Sequence, residues 1–410
     1  MFRKQCLSCQ SPDLREIVNL GMHPMADTFI PADRLDEGDR VYPLICDLCE
    51  KCGQIQLRTV TNPAERYAEY DYSYTSSNSK TSQNHWIEYA GTVAGMIGLQ
   101  REDAVLEIGS NDGFLTEQFQ KLGCKSLGVD PSPAMARLAA QRGVNTLTGL
   151  FGRECVGQVE KALGQKPRLI AANNVFNHAN EPMDFALGVK ALLAPGGVFV
   201  FELPYWMQSV VQRKFDQIYH EHVSYLTVNY AVNLFQAAGL CVNHVDEVDY
   251  HGGSIRVFVG HEPATYTVKT AGPSVAQFIE KETEAGLFDP ATYKLFMTQI
   301  QTSRNRFLRE IYRLKLEGQP VVCVGAAAKG NTFLNYYNLD ASVIDCVTES
   351  SPSKIGKYTP RTRIPICGDH KLAEYESVHA IILSWNISAA LQTILKKINP
   401  RVQFLNPYEP

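Results

Sequence analysis

The chain lacks long apolar runs. Nowhere in its 410 residues is there a stretch close to the roughly 20 apolar residues of a membrane span, so no membrane-crossing helix is expected. The opening Met1-Phe-Arg-Lys-Gln-Cys6 has two positive charges but no apolar core behind them, and so does not read as a secretory signal. Basic charge is not in surplus either. The formal net charge of −4 argues against a general nucleic-acid binder, whose domain is usually basic. Heptads, solenoid repeats and low-complexity tracts are missing, which excludes a coiled coil and allows a monomer. What is there is ordinary: 45% hydrophobic and 20% charged residues describe a globular chain. At about 150 residues per domain, its length predicts two to three domains. Of eleven cysteines, five crowd into the first 52 residues and six are scattered singly. That pattern predicts a reducing, cytoplasmic compartment and one metal cluster, not a disulfide framework.

Three blocks follow from the patterning, divided at 1–65, 66–285 and 286–410. The first is turn-rich, is expected to hold short strands, and carries the clustered cysteines. The second alternates helical and strand patterns: strands at 104–108, 126–129, 168–172 and 198–202, with helices at 84–99, 113–122, 133–142 and 181–193. Strands spaced by helices of this length predict a parallel α/β sheet. The third opens on a long helix. Asp289-Pro290 supplies an N-cap and a proline at the first helical position, and Gly318 closes it. Strands at 321–324, 343–347 and 380–383 and a helix from about 330 then make a second, smaller α/β unit.

Cys6 and Cys9 form one C-x-x-C, while Cys46, Cys49 and Cys52 form two overlapping ones. Two such turns supply the four thiolates of a tetrahedral zinc site. Cys49 and Cys52 are the better second pair, because Gly53 gives the turn the backbone freedom it needs, and Cys46 is then a spare. Four thiolates leave no open position, so the zinc is expected to be structural and dispensable for chemistry.

Val105-Leu-Glu-Ile-Gly109-Ser-Asn-Asp-Gly113 joins a strand to a helix, where glycines let a ligand approach the backbone. It is not Gly-x-Gly-x-x-Gly, so a dinucleotide fingerprint is excluded here. The next strand ends at Asp130-Pro131, which places a carboxylate for two ribose hydroxyls. Together with Leu193-Ala-Pro195-Gly196-Gly197, these residues resemble the class I S-adenosylmethionine (SAM) methyltransferases. The resemblance implies a SAM site built from Glu107, Gly109, Asn111, Gly113, Asp130 and Pro131, with Asn174 approaching from the loop after the strand at 168–172.

Three further clusters stand out: Tyr70-Asp-Tyr72-Ser-Tyr74-Thr-Ser76-Ser77, Phe215-Asp-Gln-Ile-Tyr219-His-Glu-His222 and His251-Gly-Gly253-Ser-Ile-Arg256. In a helix Tyr219 and His222 share a face; in a strand His220 and His222 do. Either way an imidazole lies beside a phenol and a carboxylate, a proton-transfer set near neutral pH. Arg256 reads as an anion clamp.

With the zinc block and Gly325-Ala-Ala-Ala-Lys329, these clusters resemble a narrower family over nearly the whole chain. It is the C-methyltransferases of nucleotide-linked keto-deoxysugars, known from antibiotic and lipopolysaccharide sugar pathways. The implied fold is α/β. A class I SAM methyltransferase Rossmann-like core is flanked by a small N-terminal zinc-binding domain and a C-terminal Rossmann-like domain that helps to hold the nucleotide-sugar. The implied catalytic residues are Tyr219, Glu221, His222 and His178, with Tyr72 or Tyr74. His222 is expected to be the base that takes the proton at C3, with Glu221 orienting it, and an enediolate then attacks the SAM methyl. Ser76 and His251 fall to the substrate side. Lys329 at a helix start, with Lys354, Lys357 and Tyr358, is expected to clamp the pyrophosphate. An O- or N-methyltransferase acting on another small molecule shares the cofactor turn and is the competing expectation.

Overall fold

The computed structural model describes residues 2–63, 66, 75–264, 266 and 272–408. Its strands form three sheets. The central one runs in the order Cys241–Val248, Ser254–Gly260, Val198–Pro204, Leu169–Asn173, Ala104–Ile108, Lys125–Asp130, Thr146–Thr148. Its five strands from Thr146–Thr148 to Val198–Pro204 are parallel, and Ser254–Gly260 adds antiparallel to Val198–Pro204. This seven-stranded order, with one reversed strand, is the class I SAM methyltransferase core. The strand patterning had pointed to a parallel sheet alone. The hairpin Cys241–Gly260 departs from that expectation: its outer strand is mostly half-buried and shows no clean alternation, and its inner strand, buried throughout, carries Arg256 within an otherwise apolar run.

The C-terminal sheet is wholly parallel, ordered Ile366–Gly368, Val347–Glu349, Val321–Val324, Val378–Ile382, Val402–Leu405. Its order, third, second, first, fourth and fifth in chain sequence, is that of the first five strands of a dinucleotide-binding sheet. The strand expected at 343–347 starts only at Val347. Val343, Ile344 and Cys346 are buried but fill the core from a turn, and a short apolar run does not tell these two uses apart.

The N-terminal sheet is antiparallel, and its strands Leu14–Pro24 and Val41–Cys49 are longer than expected. Its third strand is Ile55–Leu57. Its fourth is Ser224–Tyr225, which comes from the methyltransferase core immediately after the Tyr219–His222 cluster. The N-terminal block is therefore not an appendage. One hydrophobic core joins Ile17, Val18 and Leu44 to Trp206 and Tyr225, to Phe296 and Ile300 on the long helix Pro290–Leu316, and to Val321 and Phe333 beyond it. Burial of this kind is non-directional and scales with apolar area, so this core packs the N-terminal and C-terminal sheets together with the segment from Trp206 to Tyr225 that follows the central strand Val198–Pro204, while the central sheet has hydrophobic cores of its own. Helix Ala328–Tyr337 ties the junction with polar bonds. Asn331 Nδ2 donates to the carbonyl of Ala26 at 2.6 Å and Thr332 Oγ1 to that of Ile218 at 3.0 Å. Among the described residues no helix is long and apolar enough to cross a membrane.

Candidate active site

Ligand sites in such sheets lie beyond the carboxyl ends of the strands, at the point where strand order reverses. Here that point lies between Ala104–Ile108 and Leu169–Asn173. Gly109, Asn111 and Gly113 all take left-handed backbone, with φ of 68°, 51° and 75°. A Cβ on Gly109 would lie 2.1 Å from Cγ2 of Val175, in the loop that also holds Asn174. Only glycine fits this approach of the two loops. Asp130 is buried. Its Oδ2 accepts the Asn111 N–H at 2.9 Å and its Oδ1 the Ser132 N–H at 2.8 Å, which leaves each oxygen a lone pair for a hydroxyl donor. Pro131 separates that carboxylate from Ser132, which caps helix Pro133–Gln141. Glycine cradle and paired-acceptor carboxylate together fit the methionine and ribose ends of SAM. Glu107 is buried in the strand that leads into the turn. It accepts from Thr116 Oγ1, and burial, more than the nearby Asp112 and Asp130, pushes its carboxyl up to about 8. Asn174 also has positive φ, at 53°, and its N–H donates to the carbonyl of Glu202 at 2.9 Å.

Ser76 is found on this turn. Its N–H donates to Asn111 Oδ1 at 2.8 Å and its hydroxyl to Asp112 Oδ1 at 2.6 Å. Ser77 donates to the other oxygen of Asp112, which also takes Arg142 at 3.3 Å. The hydroxyl-rich stretch thus ends as a strap across the cofactor turn, although the sequence assigned Ser76 to the substrate. Tyr72 and Tyr74 lie outside the described residues.

Tyr219 to His222 is neither helix nor strand. It is a tight turn in which the His222 N–H donates to the Tyr219 carbonyl at 2.9 Å. The two ends of the turn meet face to face, and its corner residues point elsewhere. Tyr219 Oη and His222 Nε2 lie 2.6 Å apart, and His222 Nδ1 is 3.0 Å from the carbonyl of Gln217. A carbonyl only accepts, so Nδ1 carries the proton and Nε2 the lone pair, toward which Tyr219 donates. Burial, ahead of nearby Lys329, pulls His222 down to about 4 and so keeps it neutral at neutral pH. His178 meets His222 edge-on, with ring centroids 5.0 Å apart, and burial also holds it well below the usual imidazole range.

The expected partnership of Glu221 with His222 is not seen. Glu221 sits at the corner of the turn. Its Oε1 accepts the Asp27 N–H at 3.1 Å, and its Oε2 is buried with no partner among the described residues. Burial pushes this carboxyl up to about 7. The tautomer of His222 is fixed by the Gln217 carbonyl, a backbone contact with no mark in the sequence. Arg256 is likewise no anion clamp. Its Nε and Nη2 donate to Glu202 at 3.1 and 2.9 Å, inside the sheet, and His85 bonds the other Glu202 oxygen at 2.7 Å. The ring of His85 stacks on Tyr250 at 3.7 Å, next to His251. Burial pulls His251 down to about 3.

His251, Gly252 and Gly253 all have positive φ, and a Cβ on Gly252 would meet Trp385 at 2.3 Å, so this loop abuts the C-terminal domain. There Trp385 Nε1 donates to the buried Asp216 at 2.6 Å, and the ammoniums of Lys214 and Lys329 lie 3.5 and 4.2 Å from the Trp385 ring centre. Lys329 also donates to Asn386 Oδ1, and burial brings it down to about 8. Lys214 and Trp385 carry no mark in the sequence because they lie far apart along the chain, and Asp216, inside the Phe215–His222 cluster, has no partner there to give it a role. Lys354 donates to the Ala326 carbonyl at 2.7 Å and lies 4.0 Å from Asp27, while Tyr358 exchanges two backbone bonds of 2.8 Å with Ile30. These two join the N-terminal loop to the C-terminal turn. Lys357 lies in the same loop, and its amide donates to the Lys354 carbonyl at 3.1 Å.

The ligand atoms of Cys6, Cys9, Cys49 and Cys52 all lie within 4.8 Å of one another. Zinc–sulfur bonds of about 2.3 Å in a tetrahedron put sulfurs about 3.8 Å apart, so this set fits a structural zinc. Both turns end in left-handed backbone, at Gln10 and Gly53, with φ of 58° and 74°. Cys46 is fully buried in its strand, away from that cluster and beside Tyr225.

Replacing Gly109 by alanine is expected to lower SAM affinity at least tenfold and to reduce stability by about 1–3 kcal/mol through the Val175 clash and the forced φ. Calorimetry and thermal unfolding check both.

Three family models match the chain: a zinc binding domain at 6–67, a methyltransferase domain at 84–245 and a C-methyltransferase C-terminal domain at 249–405. The C-methyltransferase NovU of Streptomyces niveus is 31% identical over 383 residues, covering 93% of this chain and 90% of that protein. A ubiquinone biosynthesis O-methyltransferase of Cereibacter sphaeroides is 24% identical over 158 residues, 36% of this chain and 62% of that protein. Among solved structures, the magnesium protoporphyrin IX methyltransferase of Synechocystis PCC 6803 with bound SAH aligns over 44% of this chain and 83% of its own, at 14% identity and a TM-score of 0.35.

Proposed function

The chain belongs to the C-methyltransferase family that joins a SAM-binding domain to an N-terminal zinc binding domain, and from that premise we propose that it methylates C3, beside the ketone of a nucleotide-linked 4-keto-deoxysugar. The observation that carries this reading is the half-buried Tyr219–His222 pair. A carbon becomes a nucleophile only after losing a proton, and this pair supplies a neutral imidazole with its lone pair held at Nε2.

In the proposed reaction Nε2 of His222 takes the C3 proton, and the C–H electron pair spreads onto the neighbouring carbonyl oxygen. The Tyr219 hydroxyl turns to that oxygen, and such a donor contributes about 3 kcal/mol. The free Oε2 of Glu221 accepts a sugar hydroxyl. His178 and His251 line the sugar as neutral rings. Bound SAM supplies the electrophilic sulfonium methyl. Two ammoniums beside Trp385, facing the single carboxylate of Asp216, leave a surplus of positive charge that suits the substrate's pyrophosphate. Lys354, Lys357 and Tyr358 close that end. We divide the chain at 1–65, 66–285 and 286–410 and place the enzyme in the cytoplasm.

Incubation with SAM and a panel of thymidine-, GDP- and CDP-linked 4-keto sugars tests the reading. One methyl gained on the sugar fragment, with C3 assigned by NMR, is the expected result. A methyl on oxygen, with no loss of the C3 proton to deuterated water, overturns it. In Glu221→Gln, which removes the carboxyl that burial holds at about 7, kcat/KM is expected to stay level from about pH 7 to about pH 5 and to fall only toward pH 4, as the His222 imidazole protonates and can no longer accept. A pH profile with an acid limb near 6.5 contradicts this.

A further inference from the structure

His178 ends the short helix Phe176–His178, and His222 ends the tight turn that starts at Tyr219. Neither segment is held by a ladder of regular strands, yet their imidazoles face each other at 5.0 Å. One side chain spans both backbones. Nη1 of Arg66 donates to the carbonyl of His178 and to that of Glu221, each at 3.3 Å. Nη2 donates to Asn180 Oδ1, and Asn180 Nδ2 donates to the Thr61 carbonyl at 3.0 Å. Arg66 is only 4% exposed.

We propose that Arg66 is a positioning residue that ties the His178 loop to the Glu221–His222 turn and so sets the separation of the two imidazoles. The inference rests on the reading that both rings serve one substrate. A guanidinium suits the task because its donors are fixed in a plane, so three acceptors from two loops are held in one geometry. An ammonium is a compact point charge on a flexible stem and fixes no such fork. Alanine leaves two buried carbonyls without their donor, and the loops then relax toward other partners. A displacement of about 1 Å at reacting groups costs about 10²-fold in rate.

The test is made on the full-length zinc-loaded protein carrying Arg66→Ala or Arg66→Lys. Imidazole 15N resonances of labelled histidines are read without substrate. Arg66→Ala is expected to displace the His178 and His222 signals, and Arg66→Lys to displace them less. With the keto-sugar substrate, kcat for Arg66→Ala is expected to fall by about 10²-fold, with the KM for SAM unchanged. Added guanidinium ion is expected to restore part of it. Should Arg66→Ala fail to fold, Asn180→Ala removes only the fork's outer acceptor and is expected to give a smaller displacement of the same two signals. Wild-type resonances in a folded Arg66→Ala protein overturn the proposal, and so does a loss of stability with undiminished kcat. If the wild-type enzyme methylates no keto sugar, the resonances still decide the matter for Arg66, and the substrate reading fails separately.

Discussion

Replacing His222 by glutamine is expected to lower methyl transfer by about 10²–10⁴-fold, the usual contribution of a positioned general base, with the fold and SAM binding retained. Glutamine has nearly the volume of imidazole and keeps an N–H for the Gln217 carbonyl, but it has no basic lone pair to offer at the Nε2 position. Tyr219→Phe removes the partner 2.6 Å from Nε2 and is expected to cost less, because the base remains. Two measurements check the assignment: the rate of deuterium entry at C3 in the presence of S-adenosylhomocysteine, and the single-turnover rate of methyl transfer. Both are expected to fall together in His222→Gln. If deuterium still enters at the wild-type rate, the base is another residue.

The second large effect concerns the metal. Cys9→Ser, or removal of zinc by a strong chelator, is expected to cost most of the folding free energy of the N-terminal sheet. Structural zinc sites contribute roughly 10–16 kcal/mol of apparent binding free energy, which is realised only in the folded state. The sequence treated this metal as separate from catalysis. The structure joins the zinc sheet to the segment that follows the Tyr219–His222 turn. Leu57 N–H donates to the Val223 carbonyl at 2.8 Å, and Ile55 and Gln56 pair with Tyr225 and Ser224, directly after His222. Ile55 itself lies three residues after Cys52. Zinc loss is therefore expected to loosen the Tyr219–His222 turn, proposed here as catalytic, and abolish activity along with the N-terminal fold. Zinc content per chain, circular dichroism and activity, followed during chelation, are expected to fall in step. A zinc-free protein with native dichroism and full activity contradicts the link.

Some of this was written into short stretches of chain. A tight strand-to-helix turn needs glycine locally, so Gly109 and Gly113 announce it wherever they stand. Two thiolates on a C-x-x-C turn need only their own four residues, so both halves of the zinc site were legible, and Gly53 showed which of the overlapping pairs has the freer turn. Strands separated by helices fixed the parallel core for the same reason, because period and punctuation are local. The Tyr219–His222 pairing was open between helix and strand, and the chain took a third solution, a turn.

Tertiary structure decided the rest. Glu221 went to Asp27, across 194 residues, instead of to its neighbour, because a corner residue of a turn points away from the pair that the turn closes. Arg256 was drawn into the sheet by Glu202, since a buried carboxylate at a strand end needs a charged partner more than solvent does. Trp385 meets Lys214 and Asp216 only where short helical segments of the C-terminal and central domains come together, and one strand of the zinc sheet comes from the core. Spacing along a chain encodes what neighbours do to one another. Which distant groups share a buried space is settled when apolar faces pack and every polar group enclosed between them must find a partner.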